Sequence, residues 1–199
     1  MSHDPLHIMV DLETFGTTPG AAIASIGAVA FDPRTGVIGP TFYRVVDLGS
    51  CAAAGLTFEP STITWWLRQS EAAREALTEA QACELGHALG WFRMFYIQNC
   101  RGRPIWGHGA NFDEPILSAA FRAVGVAIPW SYWDARCTRT LFAMAKVKPD
   151  RAAGTHHNAL DDALAQAHAA IAAYRALGLA DATDAAPAPD PAPAEAGRP

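Results

Sequence analysis

Three stretches of this 199-residue chain carry acids at spacings that suit a single reaction centre. They are His7-Ile-Met-Val-Asp-Leu-Glu13, Gly109-Ala-Asn-Phe-Asp113 and His156-His-Asn-Ala-Leu-Asp-Asp162. In the first, Ile8, Val10 and Leu12 alternate with Met9, Asp11 and Glu13, which is the period of a strand. Asp11 and Glu13 therefore leave one face of that strand, roughly 7 Å apart. Acids gathered from segments about 100 and about 50 residues apart repel one another unless divalent cations sit among them. The chemistry they suit is metal-dependent phosphoryl transfer, with a histidine beside the last acid to move a proton. Each piece alone has a plainer reading: Asp11 and Glu13 as solvated acids at a strand end, Asp113 as a helix cap.

The elements that would position these residues follow from the pattern. Pro104-Ile-Trp-Gly-His108 reads as a short strand running into a Gly-rich turn. Ile116, Leu117, Ala120, Phe121 and Val124 then give helical spacing from Asp113 or Glu114 onward. Asn158 is the expected N-cap of a helix ending near Gly178, with Leu160, Leu164, Ala167, Ile171 and Tyr174 as its buried stripe. Upstream, residues 21–31 and 41–46 read as a hairpin joined by the turn Pro33-Arg-Thr-Gly36. A short helix opened by Ser61 or Thr62 carries Trp65 and Trp66, and a longer one is expected over about 71–97. Strands first and helix–strand units later predict a mixed sheet with helices on both faces.

With the motifs in place, the order Asp-x-Glu, Asn-Phe-Asp, His-x4-Asp resembles the DEDDh exonucleases. These form the histidine branch of the proofreading-type 3'→5' exonucleases. Asp11-Leu-Glu13-Thr14-Phe15-Gly16 is similar to the first motif, Asp113 to the second and His157-Asn-Ala-Leu-Asp-Asp162 to the third. Trp106-Gly-His-Gly-Ala-Asn-Phe-Asp113 and Thr62-Ile-Thr-Trp-Trp66 resemble most the subgroup of ribonuclease AS and phage exodeoxyribonuclease A. The likeness covers roughly residues 6–177. The tyrosine branch would need Tyr where Asn158 stands.

The resemblance implies an α/β, RNase H-like fold: a mixed, mostly five-stranded sheet flanked by helices. It implies that Asp11, Glu13, Asp113 and Asp162 hold two Mg²⁺ or Mn²⁺ ions, with His157 as general base. The backbone at Thr14 and Phe15 would hold the terminal nucleotide. The implied activity is stepwise hydrolysis of single-stranded RNA or DNA 3' ends to nucleoside 5'-monophosphates. Spacing alone fits His156 with Asp161 as well as His157 with Asp162, and the family wording selects the second pair. Many relatives carry His-Asn where this chain has His108-Gly109, with an Asn only at 111, so the roles of His108 and Asn111 stay open. Phe15, Trp65 and Trp66 offer surfaces for bases to stack on, with core packing as the competing role of the tryptophans. Other classes remain: an RNase H-like endonuclease, a non-catalytic nucleic-acid-binding module, and a zinc hydrolase built on His108, His156 and His157.

Composition bounds these readings. Half the residues are hydrophobic, enough for one sizeable core, expected over residues 1–178. Residues 179–199 read as a disordered tail, since 13 of the last 20 residues are Ala or Pro. No apolar run of about 18 residues predicts a membrane span, and no leader peptide is evident. Cys51, Cys83, Cys100 and Cys137 lack Cys-x-x-Cys spacing, which suits reduced thiols in a cytoplasmic protein. The net charge of −5 is concentrated in the tail and the clustered acids, while Arg136, Arg139, Lys146, Lys148 and Arg151 form a basic stretch. That stretch reads as a phosphate-contacting edge or as ordinary solvated charge. Nucleic acid 3' ends are the expected partners, with homodimerisation open.

Overall fold

In a computed structural model the described residues are 6–77, 82–100, 102–150 and 157–181. Strand β1 (His7–Thr14) is the centre of the sheet. It pairs antiparallel with β2 (Ile23–Phe31), which pairs antiparallel with β3 (Ile38–Val45). Helices α1 (Leu48–Ala53), α2 (Pro60–Trp66), α3 (Glu71–Glu75) and α4 (Leu85–Asn99) follow. The chain then returns to the other side of β1 as β4 (Ile105–Gly107), parallel to it. After α5 (Asp113–Ala123), a 3₁₀ turn leads into the edge strand β5 (Ala135–Cys137), then α6 (Thr138–Ala145) and α7 (Ala159–Ala176). The sheet order is β3-β2-β1-β4-β5, the mixed five-stranded α/β arrangement expected.

The alternation in β1 divides the core. Ile8, Val10 and Leu12 pack with Leu89, Phe92, Ile116 and Phe121 on one face. Met9 lies on the other, with Val29, Phe31, Trp106, Phe142 and the alanines of α7. Asp11 and Glu13 share that second face by the same alternation.

Two expectations need correction. The single helix over 71–97 is two helices, α3 and α4. Between them Cys83 is extended: its N–H donates to the Val45 carbonyl at 3.0 Å and its carbonyl accepts from Asp47 N–H at 2.8 Å. Backbone pairing with the end of β3 holds that residue out of a helix. The buried face of α7 is also rotated from the expected stripe. Leu160, Leu164 and Tyr174 are only half-buried, and the fully buried positions include Ala159, Ala163, Gln166, Ala167, Ala170 and Ala173. Small side chains let this helix approach the sheet closely, and the long residues reach round its flanks. Asn158 caps α7 as expected, its side-chain oxygen accepting from Leu160 and Asp161 N–H.

The boundary expected at 178 falls just before the last described residues. Leu179 N–H donates to the Tyr174 carbonyl at 2.9 Å, and the Asp181 carboxylate pairs with Arg34. Residues 182–199, most of the expected tail, lie outside the described residues. The four cysteines are free thiols. Among the described residues no helix is long and apolar enough to cross a membrane.

Candidate active site

The parallel pairing of β1 with β4 brings the carboxyl ends of both strands to one edge of the sheet, where α/β proteins place their ligands. Asp11 and Glu13 lie at the end of β1. Asp113 begins α5, a few residues after β4 ends, and is almost fully buried at 1% exposure. Its Oδ2 accepts from His108 N–H at 2.7 Å and its Oδ1 from Leu12 N–H at 3.3 Å, which ties the two strand ends together. This fit depends on Gly107: a Cβ there would lie 2.8 Å from Asp113 Oδ2 and 2.9 Å from its Cβ.

The third segment arrives from α7. His157, just before the Asn158 cap, adopts a left-handed backbone with φ of 65°. Its N–H donates to Asp162 Oδ2 at 3.3 Å. The helix start can reach the sheet because Gly27 faces Asp11 across the β1–β2 ladder: a Cβ on Gly27 would lie 2.1 Å from the Ala159 backbone. As a result, atoms of Glu13, His157 and Asp162 able to ligate a metal all lie within 4.8 Å of one another. Asp11 completes the group. Its Oδ1 accepts from Gln166 Nε2 at 2.7 Å.

These acids share a cavity of about 510 Å³. Burial drives the Asp11 pKa well above the ordinary carboxylate range, and repulsion from Asp113, Glu13 and Asp162 pushes it further up. The Gln166 hydrogen bond acts in the opposite direction. Burial also lifts Asp113 to about 6, opposed by the His108 and Leu12 N–H groups and by the charge of Arg139. The cavity thus favours protons or metal cations over bare carboxylates.

The walls differ on the two sides. On one, Trp65 is half-exposed and presents its ring edge-on to His157, with centroids 4.9 Å apart. Trp66 is buried, and its Nε1–H donates to the Thr14 carbonyl at 2.9 Å. Both tryptophans line the cavity, Trp65 with an exposed ring and Trp66 buried and tied to β1. On the opposite side stand His108, Phe112 and Arg139. His108 Nδ1 lies 2.9 Å from Thr138 Oγ1, whose single hydrogen goes to the Gly107 carbonyl. That assigns the hydrogen between them to His108 Nδ1.

Other expected residues fall at varying distances from the centre. Thr14 lines the cavity. Phe15 turns its ring onto Phe58 and Trp66, and its N–H and carbonyl are bonded to Ala22 and Glu59. Asn111 is exposed on the turn before α5. Asp161 lines a separate groove on the outer side of α7 with Lys148 and His168. His156 lies outside the described residues. Sequence reasoning missed Gly27, Gly107, Gln166 and the placement of Arg139. Only Gln166 carried a usable signal, standing four residues after Asp162 on the same helix face.

Comparison with known proteins agrees with this fold. The domain family described as 3'-5' exoribonuclease Rv2179c-like matches residues 6–174. The exodeoxyribonuclease of enterobacteria phage T4 is 30% identical over 158 residues, covering 66% of this chain and 68% of the phage protein. In fold, the chain is similar to E. coli exonuclease I bound to an oligonucleotide (TM-score 0.58, 15% identity, 86% of this chain). It spans only 41% of that larger protein. It is also similar to the nuclease domain of 3'hExo, a DEDDh family member bound to rAMP. There the TM-score is 0.55 and the identity 13%, covering 89% of this chain and 94% of that domain. The chain belongs to the Rv2179c-like 3'-5' exoribonuclease domain family and is a 3'-5' exonuclease.

Proposed function

We propose that this exonuclease depends on divalent cations and shortens single-stranded RNA from its 3' end, releasing nucleoside 5'-monophosphates one at a time. The observation that carries the reading is the convergence of Glu13, His157 and Asp162 within 4.8 Å, in a cavity shared with Asp11 and the buried Asp113. Four carboxylates in one cavity, two with pKa values raised by burial, fit a cation site made of hard oxygen ligands. Asp11, Glu13, Asp113 and Asp162 would hold two Mg²⁺ or Mn²⁺ ions, which when bound activate water and stabilise the leaving oxygen.

The protein's own residues do the rest. His157 takes the proton released by the attacking water, held in place by its left-handed backbone and by Trp65 and Trp66 against its ring. The half-exposed Trp65, with Thr14 and Thr62, offers a stacking face and hydroxyls to the terminal nucleoside. Arg139, on the far wall, offers a guanidinium to the phosphodiester chain leaving the cavity. A terminal residue that must enter such a cavity is more accessible in a single strand than in a duplex. The free thiols suit a reducing, cytoplasmic setting.

DNA is the second reading, favoured by the phage exodeoxyribonuclease. Matched RNA and DNA oligomers, 5'-end-labelled and digested with Mg²⁺, Mn²⁺ or Zn²⁺, decide among the possibilities. A ladder shortening from the 3' end with Mg²⁺ or Mn²⁺, faster on RNA, is expected. Internal cuts would indicate an endonuclease, no cuts a binding module, and cutting with Zn²⁺ alone a zinc hydrolase.

A further inference from the structure

The face that α7 turns toward the sheet is aliphatic except at one position. Ala159, Ala163, Ala167, Ala170 and Ala173 are buried there, and Gln166 stands among them at 2% exposure. It lies one helical turn beyond Asp162 and reaches across to β1, where Nε2 donates to Asp11 Oδ1. The other end of the same amide, Oε1, is buried and accepts no hydrogen bond among the described residues. Only one other buried side-chain atom among the described residues is left without a partner, Ser25 Oγ, and Ser25 faces Glu13 across the ladder. Elsewhere the described interior satisfies its polar side chains. Both exceptions flank the two β1 carboxylates.

An unmet acceptor inside a protein costs stability, and a Met or Leu would fill the Gln166 position without one. The expense makes sense if a donor arrives when the site is loaded. Water in the shell of a divalent cation is a strong donor, and Gln166 lines the cavity where such a shell would lie. Its amide can hold Asp11 with one end and accept from that shell with the other.

We propose that Gln166 is a positioning residue for the cation site: it fixes the Asp11 carboxylate in its ligating orientation and accepts a hydrogen bond from the cation's hydration shell through Oε1. The proposal rests on the reading of Asp11 as a metal ligand. Partners of this kind, one layer behind the ligands, set metal affinity by about 10–100-fold.

Two variants of the full chain test it. Gln166→Met keeps the shape and removes the amide. Gln166→Asn keeps an amide that is one carbon too short to reach Asp11. Mn²⁺ affinity is measured by calorimetry, melting temperature in the absence of metal, and kcat and KM for an oligonucleotide across a Mn²⁺ titration. In both variants the dissociation constant for Mn²⁺ should rise at least about tenfold, while the metal-free melting temperature of Gln166→Met stays at or above that of the parent. Saturating Mn²⁺ should restore most of kcat with KM for the oligonucleotide unchanged. A smaller change in affinity in a folded variant overturns the proposal, as does a fall in melting temperature that tracks the loss of affinity. If Gln166→Met does not fold, Gln166→Asn alone decides by the same criteria. A parent protein that binds no Mn²⁺ sinks the metal-ligand reading of Asp11, and the proposal falls with it. A parent that binds Mn²⁺ while both variants bind it equally well sinks the proposal alone.

Discussion

On one face of the sheet Ile8, Val10 and Leu12 meet Phe92, Phe121 and Ile116; on the other, Asp11 and Glu13 look onto α7, an alanine-lined helix. The first face is filled by bulk, and several large side chains share each contact. The second is set by close approach, because Gly27 and the alanines bring the helix backbone against the strand. Bulk supplies stability and tolerates exchange among apolar residues of similar volume. Close approach supplies position, and a single added methyl group has nowhere to go.

The contrast is sharpest for Asp11. Asp11→Ala should reduce hydrolysis to background while the metal-free melting temperature holds or rises, since a repelling acid has been removed. Phe121→Ala on the opposite face should cost about 3–5 kcal/mol of stability and leave kcat of the folded enzyme near its parent value. Denaturant melts beside kcat measurements check both, and equal loss of fold and activity from Asp11→Ala would erase the distinction. Next in size, His157→Ala should lower kcat on the order of 10²–10⁴-fold with Mn²⁺ binding retained, the usual weight of a general base. Gly27→Ala should lower kcat by roughly 10²-fold as α7 is pushed off the strand. A Gly27→Ala enzyme of full activity would mean that α7 shifts freely.

A smaller effect follows from the buried acids. Asp113 has its pKa raised to about 6 from an ordinary 3.8, so the folded protein binds that proton more tightly than the unfolded chain does. Its contribution to stability is complete below about 3.8 and is lost as pH rises through about 6. Asp11, shifted in the same direction, adds to the loss. Melting of the metal-free protein should therefore weaken from about pH 4 to about pH 7, by on the order of 1–3 kcal/mol. Mg²⁺ should restore stability at the upper end and have little effect at the lower. Stability rising with pH in EDTA would contradict the placement of these acids. Smallest of all, truncation after Gly178 should leave melting and activity nearly unchanged, because the Arg34–Asp181 pair that it removes is exposed and screened by salt.

The two faces also differ in how far they could be read from the sequence. Alternation along β1, the apolar spacing of α5 and the Asn158 cap are local signals, and the structure follows them. The order of the acids pointed to one centre because the acids had no shared purpose otherwise. What escaped reading depends on contact between distant segments. Cys83 leaves the helical path only because the end of β3 is there to pair with it. The inner face of α7 was misjudged since hydrophobic spacing favours leucines, whereas this interface selects for smallness. Gly27 and Gly107 look like any strand glycine until Ala159 and Asp113 are set against them.

Asp162 and His157 lie on α7 and its approach, the final element of the described fold, while Asp11 and Glu13 lie on the first. A ribosome makes the first acids long before the last, and no nascent chain that stops short of Asp162 holds the full set. Cutting power must then arise in one step, when the final helix docks.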